Sequence, residues 1–477
     1  MMKKNDEFEL SISGLNSEGD GIAKTEDGFV VFVPKSLPGD KVRARIIKKK
    51  SNFANAMLLE IISPSADRTE PKCAYFGKCG GCKFQNYKYE KQLEYKRQLV
   101  RDSFERIGGF TDLDVPDVLG CDDIFYYRNK MEFSFSIYKW HDEVPFEIEE
   151  NPFSLGLHVP GFFEKIIDVD DCKLQSELSD EILNFSRNFF REKNLSVYNT
   201  KSHSGYLRFL IIRQSRNTNH LMVNLITYDS NEPLMEEYAS EMKKLFPQVT
   251  TLVNSFSTKK AMVAVSESST ALYGDGYIIE KLNNGKREIS FKISPNSFFQ
   301  TNTRQTEKLY KVMMDFADFS ADDSVYDLYC GAGAISLFIS DFVKSVTGVE
   351  LVGDAIENAK ENAVLNNIIN VKFVLNDIKD YLKSISGSIE SGHNKLILDP
   401  PRSGLHPDIC KMLSETNFEK ILYISCNPVT QARDIKMICE KGKYRIEKMK
   451  PVDMFPQTSH VENVCCLIPG ENLKKIN

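Results

Sequence analysis

Ser324-Val325-Tyr326-Asp327-Leu328-Tyr329-Cys330-Gly331-Ala332-Gly333-Ala334 is the stretch on which the fold turns. An apolar strand runs through Leu328 into a turn with two glycines, and a helical pattern follows over 334–342. Glycines at a strand-to-helix turn let the backbone approach a bound nucleotide closely. Outward from this turn the rhythm repeats, with strands expected over 345–349, 371–375, 395–398 and 421–424 and a helix over 354–366. Strands alternating with helices predict a doubly wound parallel sheet, an α/β Rossmann-like domain spanning 289–477.

The residues at the strand ends say what such a sheet would hold. Glu350 closes the second strand, placed to accept hydrogen bonds from ribose hydroxyls, and Asp377 follows the third, within reach of an adenine amine. The dinucleotide pattern Gly-x-Gly-x-x-Gly is incomplete because residue 336 is Ser, which tilts the expected ligand from a dinucleotide to S-adenosylmethionine. The strand 396–398 ends in Asp399-Pro400-Pro401-Arg402, an acid held rigidly at the ligand-bearing edge. An aromatic after the prolines would point to amino-group methylation; Arg402 argues against that chemistry.

Tyr423-Ile424-Ser425-Cys426-Asn427-Pro428 places a thiol just beyond a strand, on the same edge. Most free cysteines are small buried hydrophobes, but this one leaves an apolar strand into a polar turn. A thiol suits uracil, whose carbon 5 is too weak a nucleophile to be methylated directly. Thiolate addition at carbon 6 makes an enolate that attacks a methyl donor, after which a base removes the carbon 5 proton. Ser459-His460-Val461-Glu462-Asn463-Val464 supplies two candidate bases, Glu462 and His460, and the chemistry alone leaves both open.

Toward the amino terminus, residues 8–62 alternate apolar and polar positions in short runs, as in a small OB-like β-barrel over 1–64. Lys41, Arg43, Arg45, Lys48, Lys49 and Lys50 put six cations in ten residues, either a solvated strand edge or a phosphate-backbone contact. Cys73, Cys79 and Cys82 then fall within ten residues, a spacing for a metal or cluster, with Cys172 the best fourth ligand. Zinc and an iron–sulfur cluster both remain open on spacing. Residues 86–109 read as a helix ending at Gly108-Gly109, and 65–288 as an α+β central domain. Tyr126-Tyr127-Arg128-Asn129-Lys130-Met131 mixes aromatics and cations, as an RNA-stacking segment would.

At 477 residues the chain has room for roughly three domains. No apolar run reaches the roughly 18 residues that span a bilayer, and the first residues lack the apolar core of a secretory signal. We therefore expect a cytoplasmic protein with no membrane partner, acting as a monomer. Eleven cysteines at uneven spacing fit a reducing compartment rather than a disulfide framework. A net charge of −6 excludes nonspecific coating of nucleic acid while allowing a local basic footprint.

Ser-Cys-Asn-Pro, Asp-Pro-Pro-Arg, Asp-Leu-Tyr-Cys-Gly-Ala-Gly and His-Val-Glu together resemble the RNA uracil-5-methyltransferase family. The resemblance implies Cys426 as nucleophile and Glu462, rather than His460, as proton acceptor. It implies contacts to S-adenosylmethionine from Gln300, Tyr329, Glu350 and Asp399, with Asp377 toward the adenine. Ala334 departs from relatives that carry Asn there. The barrel resembles a TRAM domain, and the resemblance favours a [4Fe-4S] cluster on Cys73, Cys79, Cys82 and Cys172. Barrel plus cluster resembles the branch acting on 23S rRNA, with a tRNA uracil-5-methyltransferase as the alternative. A noncatalytic RNA-binding or redox-sensing protein would leave the ordered cofactor and nucleophile motifs unexplained.

Overall fold

The computed structural model describes residues 2–141, 152–387, 389 and 392–470. The chain opens with a closed five-stranded barrel, Glu7–Leu15, Gly21–Lys24, Val30–Val33, Phe53–Ser63 and Lys41–Lys49 in spatial order. Its interior is small: Ala23, Ala44, Ala54 and Ala56 pack with Leu10, Ile12, Val31, Val33, Val42 and Ile46. The outward positions of the basic strand are largely neutralised. Lys41 pairs with Glu9 at 2.8 Å, Arg45 with Glu7 at 2.7 Å, and Arg43 with Glu60. The expected basic footprint thereby shrinks to Lys48, Lys49 and Lys50, of which Lys49 and Lys50 lie over the rings of Phe29 and Phe53 at 5.5 and 5.3 Å.

The central domain is a seven-stranded mixed sheet. In spatial order its strands are Ser268–Tyr273, Thr251–Phe256, Leu221–Thr227, Leu207–Gln214, Lys130–Ser136, Ser154–Val159 and Phe162–Ile167. Helices Glu177–Glu192 and Glu232–Leu245 cover it. Their aromatic faces meet at Tyr238, which lies 4.7 Å from Phe190 and 5.2 Å from Phe189, ring centre to ring centre. The segment expected to stack on RNA is mostly interior here. Tyr127 is buried with its hydroxyl on the Pro456 carbonyl at 3.0 Å, and Asn129 is buried against the Gln300 carbonyl (2.9 Å) and Thr303 Oγ1 (2.8 Å). Its polar atoms join domains rather than face solvent.

The C-terminal sheet runs Val371–Leu375, Ser345–Glu350, Ser324–Leu328, Asn394–Leu398, Lys420–Ser425, Glu462–Pro469 and Tyr444–Val452. The first five strands are parallel, and both faces are covered, which is why they read as nearly continuous apolar runs. The last two pair antiparallel with each other, and Glu462–Pro469 also runs antiparallel to Lys420–Ser425, against the direction of the five parallel strands. The nine residues between them form no helix and so cannot supply the crossover that a parallel pair needs. One face carries helices Thr303–Ala317 and Ala334–Ile339 together with the hairpin Ile278–Asn283/Glu288–Ile293. A division at 288/289 would cut that hairpin, whose Ile278, Leu282, Ile289 and Phe291 belong to this core. On the opposite face, helix Tyr89–Ser103 and the π-helical turn Phe104–Gly108 bury Val100 and Phe104 against the sheet.

Candidate active site

The parallel strands deliver their carboxyl ends to one edge, and the expected residues gather there. Leu328 leads into Tyr329, whose φ of +68° turns the chain sharply; Gly331 and Gly333 follow at +53° and +80°. The two glycines differ in purpose. A Cβ at Gly331 would meet nothing within 4 Å, leaving open space before the backbone, whereas one at Gly333 would lie 2.7 Å from the Phe373 ring. Gly331 opens the turn, and Gly333 lets the helix pack on the sheet.

Glu350 braces this turn. One carboxylate oxygen accepts from Gly331 N at 3.2 Å, the other from Leu351 N (2.8 Å) and Val352 N (3.0 Å). Asp377, exposed at the end of the third strand, caps helix Ile378–Ile385 by accepting from Lys379 N at 2.8 Å and Asp380 N at 3.2 Å. Burial pushes the Tyr329 phenol upward, with Cys410, Asp377, Asp434 and Glu350 adding to it. Gln300 lies in the loop before helix Thr303–Ala317, where its carbonyl accepts from Asn129 Nδ2 at 2.9 Å.

The second group is tighter. Ser425 faces Asn463 across the antiparallel pair, so Cys426 and Glu462 are the next facing positions at the sheet edge. Asn427 caps helix Pro428–Cys439 and ties this turn to the Arg402 carbonyl at 3.1 Å. Burial pushes the Cys426 thiol up to about 11, helped by Glu462, while a hydrogen bond and the charge from the Arg402 guanidinium oppose the rise. Glu462 is 5% exposed; burial, then Asp399, raises its carboxyl to about 8 against the pull of Arg402. Asp399 reaches about 7 through burial. His460 moves the other way, down to about 4, through desolvation and then the charges of Arg402, Lys96 and Lys83. A group that weakly basic is a poorer proton acceptor than Glu462.

Two residues were not singled out from the sequence. Arg402 opposes the rise of the thiol and lies 3.4 Å from His460 Nε2; its signal was the cation standing where an aromatic would mark amino-group chemistry. Asp327 is fully buried in the central strand and raised to about 7 by burial. One oxygen accepts from Ser336 Oγ at 2.6 Å and the other has no protein partner. An acid inside an otherwise apolar strand was the available clue.

Away from this edge, Cys73, Cys79, Cys82 and Cys172 line one pocket. Gly81 N and Gln85 Nε2 donate to the sulfurs of Cys79 and Cys82 at 3.3 and 3.2 Å. Burial pushes the Cys82 and Cys172 thiols up to about 12, and in each case neighbouring thiols of the set contribute. Cys121 lies elsewhere, its thiol on the Asp123 carbonyl.

A glycine turn, an acid at the second strand end and a cysteine at the fifth define a nucleoside-cofactor methyltransferase fold. The tRNA (uracil-5-)-methyltransferase family pattern matches residues 207–469, and a TRAM domain pattern matches residues 3–59. The chain is 41% identical over 477 residues to an RNA methyltransferase of Chlorobaculum tepidum, covering 98% of each. It is 37% identical over 476 residues to one of Clostridium tetani, covering 99% of each. Among solved structures it resembles the Pyrococcus abyssi tRNA (uracil-54, C5)-methyltransferase in complex with S-adenosyl-L-homocysteine. That likeness has a TM-score of 0.74 and 28% identity, and covers 97% of this chain and 100% of that one. The chain therefore belongs to the S-adenosylmethionine-dependent RNA uracil-5-methyltransferase family.

Proposed function

We propose that the protein methylates carbon 5 of a uridine in RNA through a covalent adduct at Cys426. The observation that carries this is the register Ser425 to Asn463, which brings Cys426 and Glu462 to one sheet edge, where Glu462 and Arg402 both act on the thiol. Arg402 favours the thiolate, which adds to carbon 6 and places an enolate across carbons 4 and 5. Gln300, Tyr329, Glu350, Asp377 and Asp399 would hold S-adenosylmethionine, which would supply the methyl group, its sulfur keeping the bonding pair of the broken carbon–sulfur bond. Glu462, in the fraction of molecules where its carboxyl is ionised, then accepts the carbon 5 proton, the enolate re-forms and collapses, and the carbon 6–sulfur bond breaks to return the thiolate. The uridine must be turned out of any stack for Cys426 to reach it. Cys426→Ala should abolish methylation while retaining RNA binding; methylation at the wild-type rate would refute the mechanism.

The four-thiol cavity fits a [4Fe-4S] cluster held by Cys73, Cys79, Cys82 and Cys172. A single zinc needs sulfurs about 3.8 Å apart, from Zn–S bonds of about 2.3 Å in a tetrahedron. Among the described residues, the one group of three or more such donors with all ligand atoms within 4.8 Å of one another is Asp323, His393 and Glu419. No three of these thiols are so close, which supports the larger cluster, as do the N–H donors aimed at sulfur. Methyl transfer involves no net redox change, so its role here is structural. Iron and acid-labile sulfide content after anaerobic purification tests it.

For substrate we favour 23S rRNA in the cytoplasm, on the combination of TRAM barrel and four-thiol centre. A tRNA is the second reading, because the Pyrococcus abyssi tRNA enzyme aligns with 97% of this chain. Mapping 5-methyluridine in both RNA classes from cells with and without the protein separates them.

A further inference from the structure

The chain from Asp453 to Val461 carries His460 and leads into Glu462, the first residue of its strand. What holds this loop comes largely from the cysteine segment and the helix after it. Lys83 N and Phe84 N, directly following Cys82, both donate to the Gln457 carbonyl, at 2.8 and 3.0 Å. Gln457 N donates to Gln92 Oε1 at 3.0 Å, and Gln92 Nε2 donates back to Gln457 Oε1 at 3.0 Å. Gln457 is 2% exposed and sits at φ +69°, a conformation that a residue with a side chain keeps only where its surroundings impose it. The loop's start is fixed from the same helix: Lys96 and Asp453, neither exposed, are 2.6 Å apart.

We propose that Gln92 and Gln457 are positioning residues that couple the cysteine centre to the catalytic loop. An assembled centre fixes residues 73–85 and so presents the Lys83 and Phe84 N–H groups to Gln457. That clasp holds Gln457 in its left-handed conformation and sets the start of the strand, so that Glu462 stays opposite Cys426. When the centre is lost, the clasp loosens, and the loop that loosens with it is the one carrying the proton acceptor. The inference rests on the cluster and base assignments proposed above.

The first test needs no variant. Amide hydrogen exchange is measured on full-length protein before and after iron is removed with a chelator under anaerobic conditions. The expected result is exchange at least tenfold faster in peptides covering 455–462 as well as in 73–85. Faster exchange confined to 73–85 overturns the coupling. The second test is Gln92→Leu, with Gln92→Glu as the milder change that keeps the acceptor for Gln457 N. Gln92→Leu should speed exchange at 455–462 without altering iron content. It should also slow release of the Cys426–RNA adduct more than its formation, with Gln92→Glu recovering part of the loss. Equal slowing of formation and release would mean the pair only supports the fold, and the proposal fails. Adduct trapping by Glu462→Gln is read separately. If that variant traps none, the base assignment is wrong, whereas the exchange result still reports on the coupling.

Discussion

Replacing Glu462 with Gln should make the folded protein more stable at neutral pH while blocking its reaction. The carboxyl is 5% exposed and raised from an ordinary 4.5 to about 8, by burial first and by Asp399 second. Below pH 4.5 both folded and unfolded chains keep the proton, so the group contributes nothing. Between 4.5 and 8 the unfolded chain ionises while the folded one holds the proton, and stability falls by about 1.36 kcal/mol per pH unit. At pH 7.5 the span is three units, a deficit of about 4 kcal/mol, and above pH 8 the deficit is constant. Gln has nearly the same shape and no charge to desolvate. Urea unfolding of wild type and variant at pH 5 and pH 8 measures the difference, which should be small at the lower pH and large at the higher. An equal difference at both would show that Glu462 ionises as easily when folded as when unfolded, and the electrostatic account of the site would be wrong. The same variant should accumulate an RNA adduct resistant to a denaturing gel.

Arg402→Gln should make the Cys426 thiol harder still to ionise, because the guanidinium is the group that opposes its rise. Alkylation of Cys426 by iodoacetamide at pH 8 should slow accordingly, about tenfold for each further pH unit needed to form the thiolate. Lys96→Met should cost about 3–5 kcal/mol by stranding the Asp453 carboxylate in the interior, and adding Asp453→Leu should recover part of it in thermal unfolding. Affinity for S-adenosylmethionine should rise from pH 6 to pH 8 more steeply than affinity for S-adenosylhomocysteine in calorimetry. Asp327, Asp399 and Glu462 all ionise in that window, and only the former ligand carries a sulfonium charge.

The parallel half of the catalytic sheet is legible in the sequence because burial on both faces of its inner strands writes them as mostly apolar runs, and because a positive φ at the nucleotide turn demands glycine at 331 and 333. The pairing of residues far apart in the chain leaves no such mark. Lys41, Arg43 and Arg45 look like a nucleic-acid stripe until the barrel closes and brings Glu9, Glu60 and Glu7 beside them. Tyr127 and Asn129 look like a stacking surface until the loops at Pro456 and Gln300 arrive to use their polar atoms. Hairpin 278–293 lies within the central stretch of sequence, yet its apolar face completes the catalytic core. Arg402 was visible only as a departure from a pattern, since its influence on Cys426 acts between two separate strand ends.

The antiparallel strand is what makes the site possible. In a doubly wound sheet every parallel strand brings its carboxyl end to the ligand edge, so side chains at strand starts lie at the opposite edge. Glu462 is a strand start. Were Glu462–Pro469 parallel to Lys420–Ser425, its first residue would lie beside Lys420, roughly 20 Å from Cys426 at about 3.3 Å per residue. Running the strand the other way puts Glu462 beside the end of Lys420–Ser425, opposite the thiol, and brings the 453–461 loop to the same edge. The proposed nucleophile and proton acceptor would then lie beside adjacent ring carbons, because one strand ends where its neighbour begins. The register Ser425 to Asn463 is what brings the two residues to one edge.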